Sequence, residues 1–423
     1  MSRHLRAGAL AMATAILASA LGTAAAVAQD PVEIEWWHID TNDPGLSLRQ
    51  AVADEYMAEH PGVQINITVL ENQAFKDKLA LDMQAGSAPD IFNSWGGGVL
   101  AEQAEAGMAR PIEDEIAEWK DTMNAGAMSP YQIDGIQYGI PYNFGLVGFW
   151  YNKDLFAEAG ITEPPATWDE FLEDVQALKD AGITPIALAA GDKWPAMFYW
   201  AYLALRAGGQ AAMEEAISTG DWTGPAFIQA GEQFKRLIDL EPFQDGFLAA
   251  AYNADQASTM GNGKAAMELM GQWAPGVQVA ESESGEGIGD ALGWFPFPAV
   301  EGGSGLPTDI FGGGDGYAVG KDAPPEAVDF IRFLSSEPIA ERFGATNTGI
   351  LPPTEAAVDS VTDPTLQTLL QKRAEATFAQ LYLDQAASPA LGAAINDAIQ
   401  LLVAGQASPE DVAAAITDAA AME

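Results

Sequence analysis

The chain contains no cysteine. That excludes a disulfide framework, and it excludes a lipid anchor carried on a cysteine after a cleavage site. Histidine is nearly absent as well, with three residues in 423. His4 lies in the N-terminal segment, and His60 precedes Pro61 at an expected helix end, where a basic group suits the free carbonyls. Only His38 is left for chemistry. A zinc site of the His/Cys type cannot be built from so few ligands, and no Gly-x-Ser-x-Gly elbow accompanies His38 as part of a triad. Bases are scarce too: 19 Lys and Arg stand against 60 Asp and Glu, for a net charge of −41. Such a surface repels nucleic acid and anionic lipid, so neither is an expected partner. The acids are scattered rather than gathered in one run, which reads as a solvating surface, with a saline habitat as one cause among others. Beyond Ala25 no apolar run is long enough to span a bilayer.

What is present begins with an export signal. Arg3 and Arg6 precede an uncharged run from Ala7 to Ala25, and Ala26-Val27-Ala28 is a small-x-small cleavage site. Residues 1–28 are therefore expected to be a signal peptide, with a soluble periplasmic chain starting at Gln29. The remainder is long for one core and comfortable for two.

Strands and helices alternate. Val32 to Ile39 reads as an opening strand, and Asn42 or Asp43 should cap a helix that carries Pro44 in its first turn and stops at Pro61-Gly62. Val63, Ile65, Ile67 and Val69 alternate with polar residues as a second strand. A helix over 74–84 and a third strand, Ala88 to Phe92, complete a β-α-β-α-β run, which implies a parallel sheet. A second α/β unit follows: a strand over Leu146–Tyr151, a Thr167–Glu170 capping box ahead of a helix, and a strand over Ile183–Ala189. Further helices should start at Ala323-Pro-Pro-Glu326 and at Ser408-Pro409. No flexible linker separates the units, so short crossings are expected near Pro141–Phe144, Gly312–Gly316 and Gly349–Pro353.

Catalytic and metal motifs fail on inspection. Gly312-Gly-Gly-Asp315-Gly316 lacks the Lys-Ser/Thr of a phosphate loop. Asp40-Thr-Asn42-Asp43-Pro44 begins like a calcium loop, but Pro44 takes a ligand position and no Glu stands at the twelfth. No metal or cofactor is expected. Among 60 acids, the paired carboxylates of a glycoside hydrolase arise by coincidence, which keeps a carbohydrate-active enzyme as an alternative.

Binding fits the aromatics better. Trp37, Trp95, Trp194 and Trp273 stand at expected strand ends or loops, where a ring packs in a core less often. A sugar pocket needs flat rings for C–H faces and a few polar groups for hydroxyls. Asn93-Ser94-Trp95-Gly96-Gly97-Gly98 follows the third strand, at the ligand edge of an open sheet, and its glycines would let backbone approach a ligand. Lys193 and Lys264 are the main bases nearby, which argues against a phosphate or polycarboxylate ligand.

Gly263-Lys264-Ala265-Ala266-Met267 followed by Gly271-Gln272-Trp273 resembles the GKxAM…GxW segment of family 1 extracellular solute-binding proteins, the maltose-binding-protein-like receptors of ABC importers. Ala88-Pro-Asp90, Tyr151-Asn-Lys-Asp-Leu155, Thr167-Trp-Asp-Glu-Phe171 and Tyr317-Ala-Val resemble that family's other landmarks, in order. The resemblance implies two α/β lobes around a cleft, a sugar or oligosaccharide ligand, closure of one lobe over the other, and delivery to an ABC permease by a monomeric receptor. It divides the chain into 29–141 with 316–349 as lobe 1, and 142–315 with 350–423 as lobe 2. Gly313, Gly314 and Asp315 fall at its second hinge and Tyr142 at its first. The candidate ligand set is then Trp37, His38, Asn93, Trp95, Gly96, Tyr142, Trp194, Trp273, Gly313, Gly314 and Asp315. No Trp follows Trp294, so a late stacking ring must be a Tyr or Phe such as Tyr382. A binder of a cationic solute is the second alternative, because an acidic cleft would attract one.

Overall fold

A computed structural model describes residues 31–422; the expected signal peptide and its cleavage site lie outside the described residues. The strands are β1 (Val32–His38), β2 (Val63–Val69), β3 (Ile91–Ser94), β4 (Gln132–Ile133), β5 (Ile136–Gln137), β6 (Gly139–Pro141), β7 (Gly145–Leu146), β8 (Gly148–Asn152), β9 (Met267–Met270), β10 (Leu292–Phe295), β11 (Ile310–Gly313), β12 (Gly316–Val319) and β13 (Ala379–Leu381). Three helices matter most below: α1 (Gly45–Glu59), α2 (Asn72–Gln84) and α3 (Gly97–Glu105).

One lobe is built on a five-stranded sheet in the order β2-β1-β3-β12-β6. β1 is parallel to β2 and β3, and β12 runs antiparallel to β3 and β6. In β1 the alternation that exposes Glu33 and Glu35 ends at Trp36-Trp37-His38, all buried, because α2 covers the second face there. Trp37 shares a core with Phe75, Leu79 and Met83 of α2. The other lobe carries two three-stranded sheets, β10-β8-β9 and β13-β11-β7. The architecture is two-lobed α/β, with a divided second sheet where a single open one was expected.

That division has local causes. The expected strand over 146–151 splits: β7 pairs with β11, β8 pairs with β9 and β10, and Val147 between them donates to the Phe311 carbonyl at 2.9 Å. The expected strand over 183–189 does not form a ladder. Its only bridges join Ile186 to Phe243 and Met267, among the described residues. Backbone bonds to Pro242 and to Ala266–Met267 serve residues 184–187, and side-chain amides serve the next two: Gln244 Oε1 accepts from Leu188 N and Gln256 Oε1 from Ala189 N, so the buried segment is satisfied without a continuous ladder. The third strand starts at Ile91 rather than Ala88, since Pro89 has no N–H to give and the Asp90 carboxylate takes the Glu35 N–H at 2.8 Å. α1 starts at Gly45, with Pro44 before it instead of in its first turn, and Asp43 accepts from the Ser47 N–H at 3.0 Å. The capping boxes of Thr167 with Glu170 and Ser408 with Asp411 are formed, each ahead of its helix. His60 closes α1, its Nδ1 2.9 Å from the Tyr56 carbonyl.

The chain passes between the sheets from β6 to β7 and from β11 to β12, and the two segments lie side by side. Tyr142 N and Asn143 N both donate to the Asp315 carbonyl, at 2.8 and 3.1 Å. A third segment joins them: Phe144 N donates to Leu351 O at 3.0 Å, and Leu351 N donates to Asn143 Oδ1 at 2.8 Å. Arg373 gathers the same segments from outside by donating to Phe144 O at 2.6 Å and Pro352 O at 3.1 Å. No helix among the described residues is long and apolar enough to cross a membrane.

Glu268 on β9 is the fully buried acid of the second lobe. It accepts from Gln256 Nε2 at 2.8 Å and Gln278 Nε2 at 2.6 Å. Burial pushes its carboxyl up to about 7 despite those two bonds. Because the folded value lies above the unfolded one, its contribution to stability is whole at low pH and is lost as pH rises through about 7. Glu268→Gln is therefore expected to stabilise the fold at pH 8 by on the order of 1–3 kcal/mol and to do little at pH 5. The Gln278 amide can flip to receive the new N–H. Melting curves of both proteins at the two pH values check this, and equal pH slopes would contradict it.

Candidate functional site

A cavity of about 180 Å³ lies where the crossings and both lobes meet. Its two sides differ in chemistry. The second lobe supplies rings: Trp194, Phe198, Tyr252, Trp273 and Tyr382. These are locked against one another. Trp194 meets Tyr252 edge-on at 5.2 Å, Phe198 stacks on Tyr382 at 5.4 Å, and Tyr382 meets Trp273 edge-on at 6.3 Å. Backbone space explains two placements. A side chain at Gly271 would enter the Trp273 ring at 2.1 Å, and one at Gly313 would enter Tyr382 at 2.8 Å.

The first lobe supplies polar groups from the loops that follow β1 and β2, Asp40, Asn42 and Glu71, and from the first turns of α2, Asn72 and Lys76. Trp95, after β3, is the ring it contributes. These loops leave the carboxyl ends of parallel strands, where an open sheet presents its ligand edge. Asp40 is held by Arg49 of α1, which is wholly buried. The Arg49 guanidinium lies 4.5 Å over the Tyr142 ring and donates to Tyr317 Oη at 2.9 Å. Lys76 reaches across to Asp384 of the second lobe at 3.4 Å and lies 4.9 Å over the Trp95 ring. Asp315 forms the base of the cavity. Its carboxylate accepts from Asn143 Nδ2 at 3.1 Å and Asn93 Nδ2 at 3.5 Å, while burial pushes it up to about 6.

The structure brings Trp95, Trp194, Trp273 and Asp315 of the sequence-derived set to this one cavity. Asn93, Tyr142, Gly313 and Gly314 sit just beneath it: Tyr142 donates to Asn93 Oδ1 at 2.8 Å, and Gly314 takes up a position whose Cβ would strike the Asn143 carbonyl at 1.8 Å. Trp37, His38 and Gly96 are placed elsewhere. Trp37 packs under α2 with Lys78 4.5 Å over its ring. His38 is buried beside Trp36, and burial with the Arg49 charge lowers it to about 3, which keeps it neutral. Gly96 lies against the Pro130 carbonyl. Its neighbours approach backbone, as glycines there allow, but that backbone belongs to the other lobe: a Cβ on Gly97 would meet Gln385 O at 2.3 Å, and one on Gly98 would meet Ala387 at 2.5 Å. The lobes are thus in contact at the mouth of the cavity. Lys193 and Lys264 pair with Asp397 and Glu283 away from the cavity.

Sequence reasoning missed the polar side. The sequence offers Asp40 as a calcium ligand and Asn42 as a calcium ligand or helix cap, neither as a ligand contact, and no group of acids and histidines among the described residues could hold a metal. The strand-end rule that found Trp95 applies equally to the residues after β1 and β2, and would have found Asp40 and Glu71.

Two α/β lobes, three crossings and an aromatic-against-polar cleft between them define a two-lobed ligand-binding protein. Residues 39–341 match the bacterial extracellular solute-binding protein family, and the chain belongs to it. The chain spans about half the length of curated relatives such as a binding protein of Brucella abortus (strain 2308), with 29% identity over 224 residues, 52% of this chain and 53% of that one. It is 27% identical over 328 residues to the alpha-glucosides-binding periplasmic protein AglE of Rhizobium meliloti (strain 1021), covering 74% of this chain and 70% of the relative. Its fold matches a solved chitin oligosaccharide binding protein with a TM-score of 0.84 and 28% identity, over 93% of this chain and 99% of that one.

Proposed function

We propose that this chain is the periplasmic substrate-binding component of an ABC importer, and that its ligand is a neutral sugar or oligosaccharide. The observation that carries the reading is the split chemistry of the cavity: a wall of locked rings faces a row of carboxylates and amides. Rings cover the apolar C–H faces of a pyranose, and the polar row meets its hydroxyl edge. The names of relatives that bind alpha-glucosides and chitin oligosaccharides support it. The lobes are taken as 29–141 with 316–349 and 142–315 with 350–423, so the ligand sits where the chain crosses between them. Ligand binds one lobe of an open form, bending at the crossings brings the second lobe down, and contacts made only in the closed form hold it there. The closed rims then present the cargo to the permease. No bond is made or broken.

A screen of mono- and oligosaccharides by thermal shift tests this. A ligand at about 100 times its dissociation constant adds roughly 2.7 kcal/mol to stability. A sugar that raises the melting temperature, with its chemical structure intact afterwards, is the expected result. A screen in which every sugar is silent would contradict it. A cationic solute is the second reading, favoured by the carboxylates of Asp40, Asp43, Glu71 and Asp384 around a single lysine. Putrescine and spermidine in the same screen distinguish it.

A further inference from the structure

A second cavity, of about 440 Å³, adjoins the first on the far side of Trp95. It is bounded by α2 and α3 of the first lobe and by the helix Pro389–Val403 of the second. The two cavities share Lys76, Trp95, Trp194, Asp384 and Gln385 as lining, so they are neighbours across one thin partition. That partition is made of side chains from both lobes, joined by the Lys76–Asp384 ion pair. Opening the lobes would take it apart and make the two spaces one groove.

The sizes are informative. The first cavity is smaller than the ~300–1,000 Å³ typical of small-molecule pockets, whereas the second falls within that range. Its lining repeats the mixture found in the first. Gln73, Glu102, Gln103, Asp192 and Asn396 offer polar groups, while Trp95 and Trp194 present ring surface to both spaces. A structural void inside a lobe would be apolar and closed; this one is mixed, and it lies between the lobes.

We infer that the second cavity continues the ligand site, so that the cargo is an oligosaccharide of several sugar units lying past Trp95 and Trp194, with Gln103 and Asn396 among the groups that meet its far units. The inference rests on the sugar reading above and adds ligand length and direction to it. A monosaccharide would leave the larger space to water.

Isothermal titration with three length series tests it: glucose to maltohexaose, xylose to xylohexaose, and N-acetylglucosamine to chitohexaose. In the series that binds, affinity is expected to rise by about tenfold or more between the shortest binder and the tetramer. Ala393→Trp fills the second cavity from an exposed helix position that does not line the first. It should cut affinity for the tetramer by about tenfold and leave the shortest binder within about twofold. Ala393→Ser, which fills nothing, should match the parent. Affinity that stays flat with length, or an Ala393→Trp loss equal at all lengths, overturns the second cavity but leaves the sugar reading intact. Silence of all three series overturns both.

Discussion

Replacing Trp273 by alanine is expected to weaken sugar binding by roughly 1.5–3 kcal/mol, about ten- to a hundredfold in affinity, on the scale of one desolvated aromatic face. The ring is half-buried, lies over Gly271 where no other residue's Cβ fits, and closes the aromatic row through Tyr382. Because one side of it faces the cavity, its removal should cost less stability than the ~3–5 kcal/mol of a fully enclosed Trp→Ala. Trp273→Phe should keep part of the affinity. Titration calorimetry and a melting curve on each variant separate the two roles. Undiminished affinity with a large loss of stability would make Trp273 a core residue and take the sugar wall apart.

A larger loss of stability is expected at a residue that does not line the cavity. Arg49→Met should destabilise the fold by about 3 kcal/mol, the low end for a fully buried pair, because the guanidinium is wholly buried while the Asp40 it leaves unpaired keeps partial exposure at the cavity. Arg49 is wholly buried, pairs with Asp40, serves Tyr317 Oη, and lies over the rings of Tyr142 and Phe343 at 4.5 and 5.1 Å. The methionine fills the space but returns neither the charge nor the donors. Asp40 at the cavity and Tyr142 at the first crossing both lose their support, so ligand affinity should fall in whatever remains folded. Urea unfolding of Arg49→Met, Asp40→Asn and the double variant measures the coupling. A double variant no less stable than Arg49→Met alone is expected. A loss under about 1 kcal/mol in Arg49→Met would show that Asp40 is held by something else.

Arg49 also marks where reading the sequence stopped. It sits in α1 with nothing around it to set it apart from any surface arginine, and its partners Asp40, Tyr142 and Tyr317 come from three distant segments. The legible features were local. Alternation gave β1 and β2, capping residues gave the helix starts at Thr167 and Ser408, and the strand-end rule picked out Trp95, Trp194 and Trp273. The illegible features were tertiary. Ile183–Ala189 has strand composition, yet its backbone pairs only at isolated bridges to Phe243 and Met267, and the amides of Gln244 and Gln256 complete it. Gly97 and Gly98 do signal a close approach, but nothing in them says that Gln385 and Ala387 are what approaches. The polar row was hidden for a simpler reason: in a chain with 60 acids, no single Asp or Glu stands out.

Lobe closure over a ligand is the central claim, and small-angle X-ray scattering tests it most directly. In this structure the lobes touch, through Lys76 with Asp384 and through Gly97 and Gly98 with the backbone at Gln385–Ala387. Under the proposed cycle this arrangement stands for the closed form, and its calculated scattering is the reference. Saturated with the sugar that raises the melting temperature most, the protein should scatter as this structure does. Free of ligand it should show a larger radius of gyration, with the crossings near Asn143, Asp315 and Leu351 as the pivot. The same radius of gyration with and without saturating sugar would contradict closure.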